Sequence, residues 1–294
     1  MTELVPPDRV FPRAREEAEL ANQPTPAPQT GDPAYRLAFQ DMDFLLREDL
    51  RPVRFQLELL KPELLLDEAK IASTFVFYGS ARIPEPEKAE ALLAAAVTDR
   101  QKLIAERLKA KSHYYEVAKS LAKMCCRVDK DAEGWRHFVV CSGGGPSIME
   151  AANRGAMEAG SESIGLNIVL PHEQMPNPYV TPSLSFQFHY FALRKMHFLL
   201  RARAVAVFPG GFGTFDEMFE LLTLIQTGKV KPLPILLFGR EFWDRVVNFE
   251  ALVEEGVVSE KDLDLFQYVE TAEEAWERIC AWYKNDDHLA AVAQ

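Results

Sequence analysis

Phe208-Pro209-Gly210-Gly211-Phe212-Gly213-Thr214-Phe215-Asp216-Glu217 joins an apolar run to an amphipathic helix through a glycine turn, and its reading decides the fold. The residues before it, Ala204-Val205-Ala206-Val207-Phe208, have the unbroken apolar character of a strand buried on both faces of a parallel sheet. After it, Met218, Leu221, Leu222 and Ile225 recur at helical spacing and mark one apolar stripe. Glycines between such elements let backbone N–H groups come close to a ligand, and a helix N-terminus adds partial positive charge that suits an anion. A phosphate fits there, with the Glu217 carboxylate behind it. The spacing also has a purely structural reading. Thr214 followed three residues later by Glu217 spells a capping box, in which each side chain satisfies an orphan helix donor.

A second junction of the same kind shifts the balance toward a ligand site. Phe138-Val139-Val140-Cys141 runs into Ser142-Gly143-Gly144-Gly145-Pro146, and Ile148 to Ala156 then reads as a helix. Two such loops can face one crevice above a sheet. Further strands are expected at Thr74–Tyr78, Ile164–Leu170, Leu184–Phe188, Leu233–Phe238 and Phe266–Val269. Helices are expected from Pro86 to about Lys123 with a break near Ser112, around Arg194, around Trp243, and through Trp276 and Trp282. Strands alternating with helices at this spacing predict an α/β fold: a Rossmann-like doubly wound, mostly parallel sheet with helices on both faces. Ligands in such sheets bind outside the carboxyl ends of the strands, near the switch point.

The expected organisation is a disordered tail over 1–32, rich in Pro, Gln and Thr, then an N-terminal helical extension over 33–70. A nucleotide-binding catalytic domain follows over 71–285, with a C-terminal tail over 286–294. Two helices are expected between Pro33 and Ala69, as a cap on the sheet or an oligomer contact. The 294 residues are ample for a sizeable core, and a net charge of −11 argues against a broad nucleic-acid-binding face. The first residues carry both charge signs and no apolar core, unlike a secretory signal, and no run approaches the length of a membrane span. The four cysteines lack metal-ligand spacing, so reduced thiols in a cytoplasmic protein are expected, with Cys141 a packed thiol. The histidines form no spaced ligand cluster, and no metal or other cofactor is expected. Neither loop spells a dinucleotide fingerprint or a Walker A loop, so the phosphate site suits a monophosphate held by backbone groups.

These residues carry a specific resemblance. The chain resembles the LONELY GUY (LOG) family of nucleoside 5′-monophosphate phosphoribohydrolases, long confused by name with lysine decarboxylases, whose motif is PGGxGTxxE. Pro209 through Glu217 match every fixed position, and the likeness extends through Gly143–Pro146, Leu170–Glu173, Arg194-Lys195 and Thr223–Gly228. It covers roughly Phe75 to Gly239, and the flanking segments point to one of the longer members.

What the resemblance implies is hydrolysis of the N-glycosidic bond of a purine or cytokinin nucleotide, releasing free base and ribose 5-phosphate. Positive charge builds on C1′ and the ring oxygen as that bond breaks, so a carboxylate can stabilise it and orient water. Glu217 takes that role and Arg194 that of the family's catalytic arginine, with Lys195 a weaker partner. Gly210, Gly211, Gly213 and Thr214 are expected on the 5′-phosphate, Gly143, Gly144 and Gly145 on the opposite wall, and Gly79 and Ser80 near the base. Glu173 and Thr223 match substrate-contacting positions. The partner expected is a nucleoside monophosphate, with no nucleic acid and no membrane, and the family's site at a dimer interface implies a homodimer or larger assembly.

One departure is Ser147, where many relatives have a further glycine; a positive φ there strains a serine. Ser147 with Glu150 also spells a capping box, which would make Glu150 structural. Two competing functions remain. A non-catalytic nucleotide carrier or sensor needs the glycines but not a carboxylate opposite a cation. A pyridoxal-phosphate decarboxylase needs a Schiff-base lysine beside a phosphate cup, and Lys195 is the lysine available to it among the matched segments before Gly228.

Overall fold

The computed structural model describes residues 11–171 and 175–284. The chain divides into two compact units, Met1–Lys61 and Pro62–Gln294. In the first lie α1 (Ala14–Ala21), α2 (Pro28–Gly31) and α3 (Met42–Leu45), and the boundary falls within α4 (Arg51–Glu68). Thus part of the segment read as a tail is helical, with no residue of α1 buried. Of the two helices expected between Pro33 and Ala69, the second is α4, whereas short turns replace the first. Asp32 and Asp41 explain the difference: their carboxylates accept from the backbone N–H of Ala34 and of Asp43 and Phe44, closing local turns that compete with a continuous helix.

Among the described residues the second unit holds seven strands: β1 (Thr74–Tyr78), β2 (Val139–Ser142), β3 (Ser163–Ile168), β4 (Ser185–Phe188), β5 (Ala202–Val207), β6 (Ile235–Phe238) and β7 (Gln267–Val269). They form one sheet of order β4-β3-β2-β1-β5-β6-β7, and every pairing is parallel. Between β1 and β2 run α5 (Pro86–Ala94), α6 (Asp99–Lys111) and α7 (His113–Cys125), then α8 (Ile148–Glu158) leads to β3 and α9 (Phe191–Leu200) to β5. The remaining helices are α10 (Phe212–Gln226), α11 (Arg240–Val246), α12 (Phe249–Glu254) and α13 (Ala272–Trp282). The expected doubly wound α/β fold is present. The break at Ser112 is there too, where the hydroxyl donates to the Lys109 carbonyl. A second break was not anticipated: Thr98 and Gln101 form a reciprocal capping box that starts α6.

Alternation along each strand decides what packs where. Phe75 and Phe77 of β1, with Phe138, Val140, Phe208 and Phe238, meet Tyr115, Ala118 and Leu121 of α7, Ala152 of α8 and Ile279 of α13. Each such aromatic contributes roughly 1.5–3 kcal/mol by leaving water. Val76 and Tyr78 point to the other face, where the Tyr78 ring meets Phe198 of α9 edge-on at 5.0 Å. Among the described residues no helix is long and apolar enough to cross a membrane.

Candidate functional site

The strand order reverses between β1 and β5, and both loops that leave this switch point are glycine-bearing. They are tied together: the Ser80 N–H donates to the Pro209 carbonyl at 3.1 Å, and the Phe208 N–H to the Tyr78 carbonyl at 2.8 Å. After β5, Gly211 is the N-cap of α10 and no side chain caps it. Among the described residues the N–H groups of Phe212 and Gly213 have no acceptor, and the places where side chains of Gly211 and Gly213 would stand are open. That is the arrangement an anion needs. Gly210 is different, since a Cβ there would run into Thr214, with that residue's own Cβ 2.5 Å away.

The capping-box reading of Thr214 and Glu217 fails on the position of the helix start. Thr214 is the third residue inside α10 rather than its cap, and Glu217 lies a turn deeper, both 7% exposed. Glu217 instead faces Arg194: Oε1 and Nη1 are 3.7 Å apart, close enough to attract and too far for a hydrogen bond. Burial dominates both groups. It raises Glu217 from the ordinary carboxylate range to about 7, against the opposing pull of Arg194 and Lys195. Burial likewise lowers Arg194, with Glu217 opposing. A buried acid and cation held short of direct contact leave room for a polar group of a ligand.

Arg194 itself is fixed from three sides. Its Nε donates to the Leu166 carbonyl at 2.7 Å, and its Cζ lies 5.0 Å from the Phe198 ring centroid. On the third side stands Gly143, where an added Cβ would come within 2.7 Å of Nη2. The triple-glycine wall is pinned in turn by a buried polar network. Ser142 Oγ accepts from the Gly144 N–H and donates to Asn153 Oδ1, while Asn177 donates from its N–H to the Gly144 carbonyl and from Nδ2 to the Gly145 carbonyl. Gly144 adopts φ +72°, and its missing Cβ leaves space for the Asn167 amide. We therefore expect Gly143→Ala to push the guanidinium aside and to lower any reaction that depends on Arg194 by about 10–100-fold, a misplacement effect, with the fold retained by circular dichroism.

A cavity of about 430 Å³ opens beside this wall, lined by Gly143, Gly145, Met149, Glu150, Asn167, Leu170, Met175, Asn177, Gln187 and Arg194 among others. Sequence reading pointed to its glycines and Arg194 and missed Asn167, Asn177 and Gln187. The one signal was a polar Asn167 interrupting the apolar run of β3.

Glu150 does not cap α8. Ser147 makes no side-chain cap, and Glu150 Oε1 accepts from the Tyr115 hydroxyl at 3.0 Å. Ser147 sits at φ 64°, ψ −121°, so the anticipated strain is real. Ser147→Gly is expected to stabilise the chain by about 1 kcal/mol, the strain relieved less the added freedom of glycine in the unfolded state. Thermal denaturation checks it.

Other predicted residues lie elsewhere. Gly79 packs under Ile148, whose Cγ2 would be 2.6 Å from an added Cβ. Lys195 Nζ is held by Asp216 Oδ1 at 2.7 Å and Glu220 Oε2 at 3.3 Å, outside the cavity. Burial pulls its pKa down, yet the carboxylates of Asp216, Glu217 and Glu220 leave it raised. A Schiff-base lysine needs the opposite, so Lys195 does not suit pyridoxal phosphate. Thr223 is exposed, donates to the Phe219 carbonyl, and borders a separate groove of about 460 Å³ with Phe212, Phe215 and Phe219. Six residues beyond Glu217, it stands about 120° away from it around the helix. Cys141 is a packed thiol whose pKa burial pushes up, which leaves it unreactive. Glu173 lies outside the described residues.

Residues 149–279 match the family model described as "Possible lysine decarboxylase". The curated cytokinin riboside 5′-monophosphate phosphoribohydrolase LOG2 of Arabidopsis thaliana is 27% identical over 153 residues, 51% of this chain and 67% of that protein. Over this region the chain is similar to the LONELY GUY family. Among solved structures it is similar to TM1055, a structural-genomics target, at TM-score 0.45 and 21% identity, covering 70% of this chain and 98% of that one. It is also similar to the molybdenum cofactor binding protein of Rippkaea orientalis, at TM-score 0.39 and 18% identity over 71% of this chain and 97% of that one. The molybdenum cofactor carrier protein of Chlamydomonas reinhardtii stands at TM-score 0.38 and 18% identity, over 71% and 99%. The residues matched by the family model include Arg194 and the whole of Pro209–Glu217.

Proposed function

We propose that the protein hydrolyses the N-glycosidic bond of a purine or cytokinin riboside 5′-monophosphate, giving free base and ribose 5-phosphate. The observation that carries this reading is the buried Arg194–Glu217 pair, 3.7 Å apart, at a switch point with an uncapped helix N-terminus. The 5′-phosphate sits on the free amides of Phe212 and Gly213 with Gly210, Gly211 and the Thr214 hydroxyl around it. As the C1′–N bond breaks, its electron pair leaves with the base. Glu217 in its ionised form stabilises the positive charge at C1′ and orients the water whose oxygen bonds there. Arg194 holds substrate oxygens and draws off the density that the departing base takes up. One of the water's protons stays on the new C1′ hydroxyl and the other passes to the departing base, so no cofactor enters the balance.

We propose further that the working unit is at least a homodimer. Thr223 and the 97% exposed Phe212 border an open groove on α10, where a second copy would meet them. A single-chain mass by light scattering at assay concentration would contradict this.

Chromatography of AMP, its N6-isopentenyl analogue and the matching nucleosides after incubation tests the activity. Free base from the nucleotides and none from the nucleosides is the expected result. Binding of AMP without release of base is the result that replaces hydrolysis with a carrier or sensor role.

A further inference from the structure

Tyr78 ends β1 at the switch point and is 5% exposed, yet among the described residues its buried hydroxyl has no hydrogen-bond partner. A buried phenol without a partner is unfavourable, and such groups call for an explanation. Its surroundings supply one. The Tyr78 ring stands edge-on to Phe198 at 5.0 Å, and the Arg194 guanidinium lies 5.0 Å from the same ring's centroid, so one phenylalanine supports both side chains. The Tyr78 carbonyl is fixed by the Phe208 N–H at the root of the phosphate loop. Burial raises the phenol's pKa, and Glu217 is the charge that adds most to that rise.

Arg194 cannot serve Glu217 and the substrate's oxygens at full strength together. Once it turns to the substrate, a buried carboxylate already raised to about 7 is driven toward its protonated, inactive form. Something else has to favour the ionised state. The charged groups that act on Glu217 are Arg194 and Lys195 of α9 and Asp216 and Glu220 of its own helix, and the Cys141 thiol of β2 acts on Tyr78. Lys195 is engaged by Asp216 and Glu220, those two are acids, and the thiol's pKa is itself pushed up by burial. Among the described residues of this surrounding, Tyr78 carries the buried hydroxyl that has no partner.

We propose that Tyr78 is a positioning residue whose hydroxyl donates to the Glu217 carboxylate when Arg194 engages the nucleotide. This rests on the hydrolase reading above. Tyr78→Phe removes the donor and keeps the ring, so adenine release from AMP is expected to lose about tenfold or more in kcat while KM stays within about threefold. The acid limb of the pH–kcat profile is expected to move up by about half a unit or more, because the lost donor favoured the ionised acid. An unchanged kcat and acid limb, together with a higher melting temperature than wild type, overturns the proposal and leaves the hydroxyl an unpaired structural atom.

Two further measurements stand apart from the variant's folding and from turnover. Incorporating 3-fluorotyrosine in place of tyrosine keeps the wild-type shape and strengthens the donor, so the acid limb must move down; an unmoved limb counts against Tyr78. Carbon-13 titration of Glu217 at saturating AMP must give a lower midpoint in wild type than in Tyr78→Phe, and equal midpoints overturn the proposal. Absence of base release by wild type overturns the hydrolase reading instead, and the titration still decides the role of Tyr78.

Discussion

Glu217→Gln is expected to abolish base release, by a factor on the order of 10²–10⁴, while AMP still binds and the folded protein becomes more stable at alkaline pH. The kinetic half follows because glutamine keeps the shape of the side chain and cannot carry the negative charge that C1′ demands. The stability half follows from linkage. The folded value of about 7 lies above the ordinary 4.5, so the fold favours the protonated acid. The stability this supplies is complete below about pH 4.5 and is lost as pH rises through 7. Glutamine resembles the protonated acid at every pH. The variant should therefore match wild type near pH 4 and exceed it at pH 8 by on the order of 1–3 kcal/mol. Base-release assays and denaturation at both pH values check the two halves separately. Turnover at the wild-type rate would make Glu217 a structural residue.

Arg194→Met carries the second large effect and points the other way in stability. It removes the counter-ion of a buried carboxylate, which is expected to cost about 3–5 kcal/mol at pH 8, where Glu217 is ionised, together with nearly all activity. Acid relieves this loss, since protonation of Glu217 removes the unpaired charge. The double variant Arg194→Met/Glu217→Gln must recover most of the lost stability and none of the activity. Urea denaturation of all four proteins at pH 8 gives the coupling directly. Additive effects on stability would mean that the two side chains do not interact, and the pairing at 3.7 Å would lose its meaning.

Much of this site was legible in the sequence because its parts announce themselves locally. The apolar run before Pro209 and the stripe of Met218, Leu221 and Ile225 define a strand and a helix on their own. What spacing left ambiguous was the choice between a capping box and a ligand site, since Thr214 and Glu217 satisfy both patterns. Only the helix start at Phe212, two residues before Thr214, separates them. Arg194 and Glu217 are brought together by a crossover that no local pattern encodes. Asn153, Asn167 and Asn177 were illegible for a related reason: buried amides gain their meaning from partners on other strands and loops. The missed turns before α4 reflect Asp32 and Asp41, whose side chains compete with the helix at short range.

The most direct test of the account is incubation of AMP with wild-type protein in ¹⁸O-water, with the products weighed by mass spectrometry. The account predicts free adenine without the label and ribose 5-phosphate carrying one ¹⁸O at C1, both absent with Glu217→Gln. Intact AMP recovered from a stoichiometric complex, with no labelled sugar formed, would contradict it and make the protein a binder of nucleotides rather than an enzyme that cleaves them.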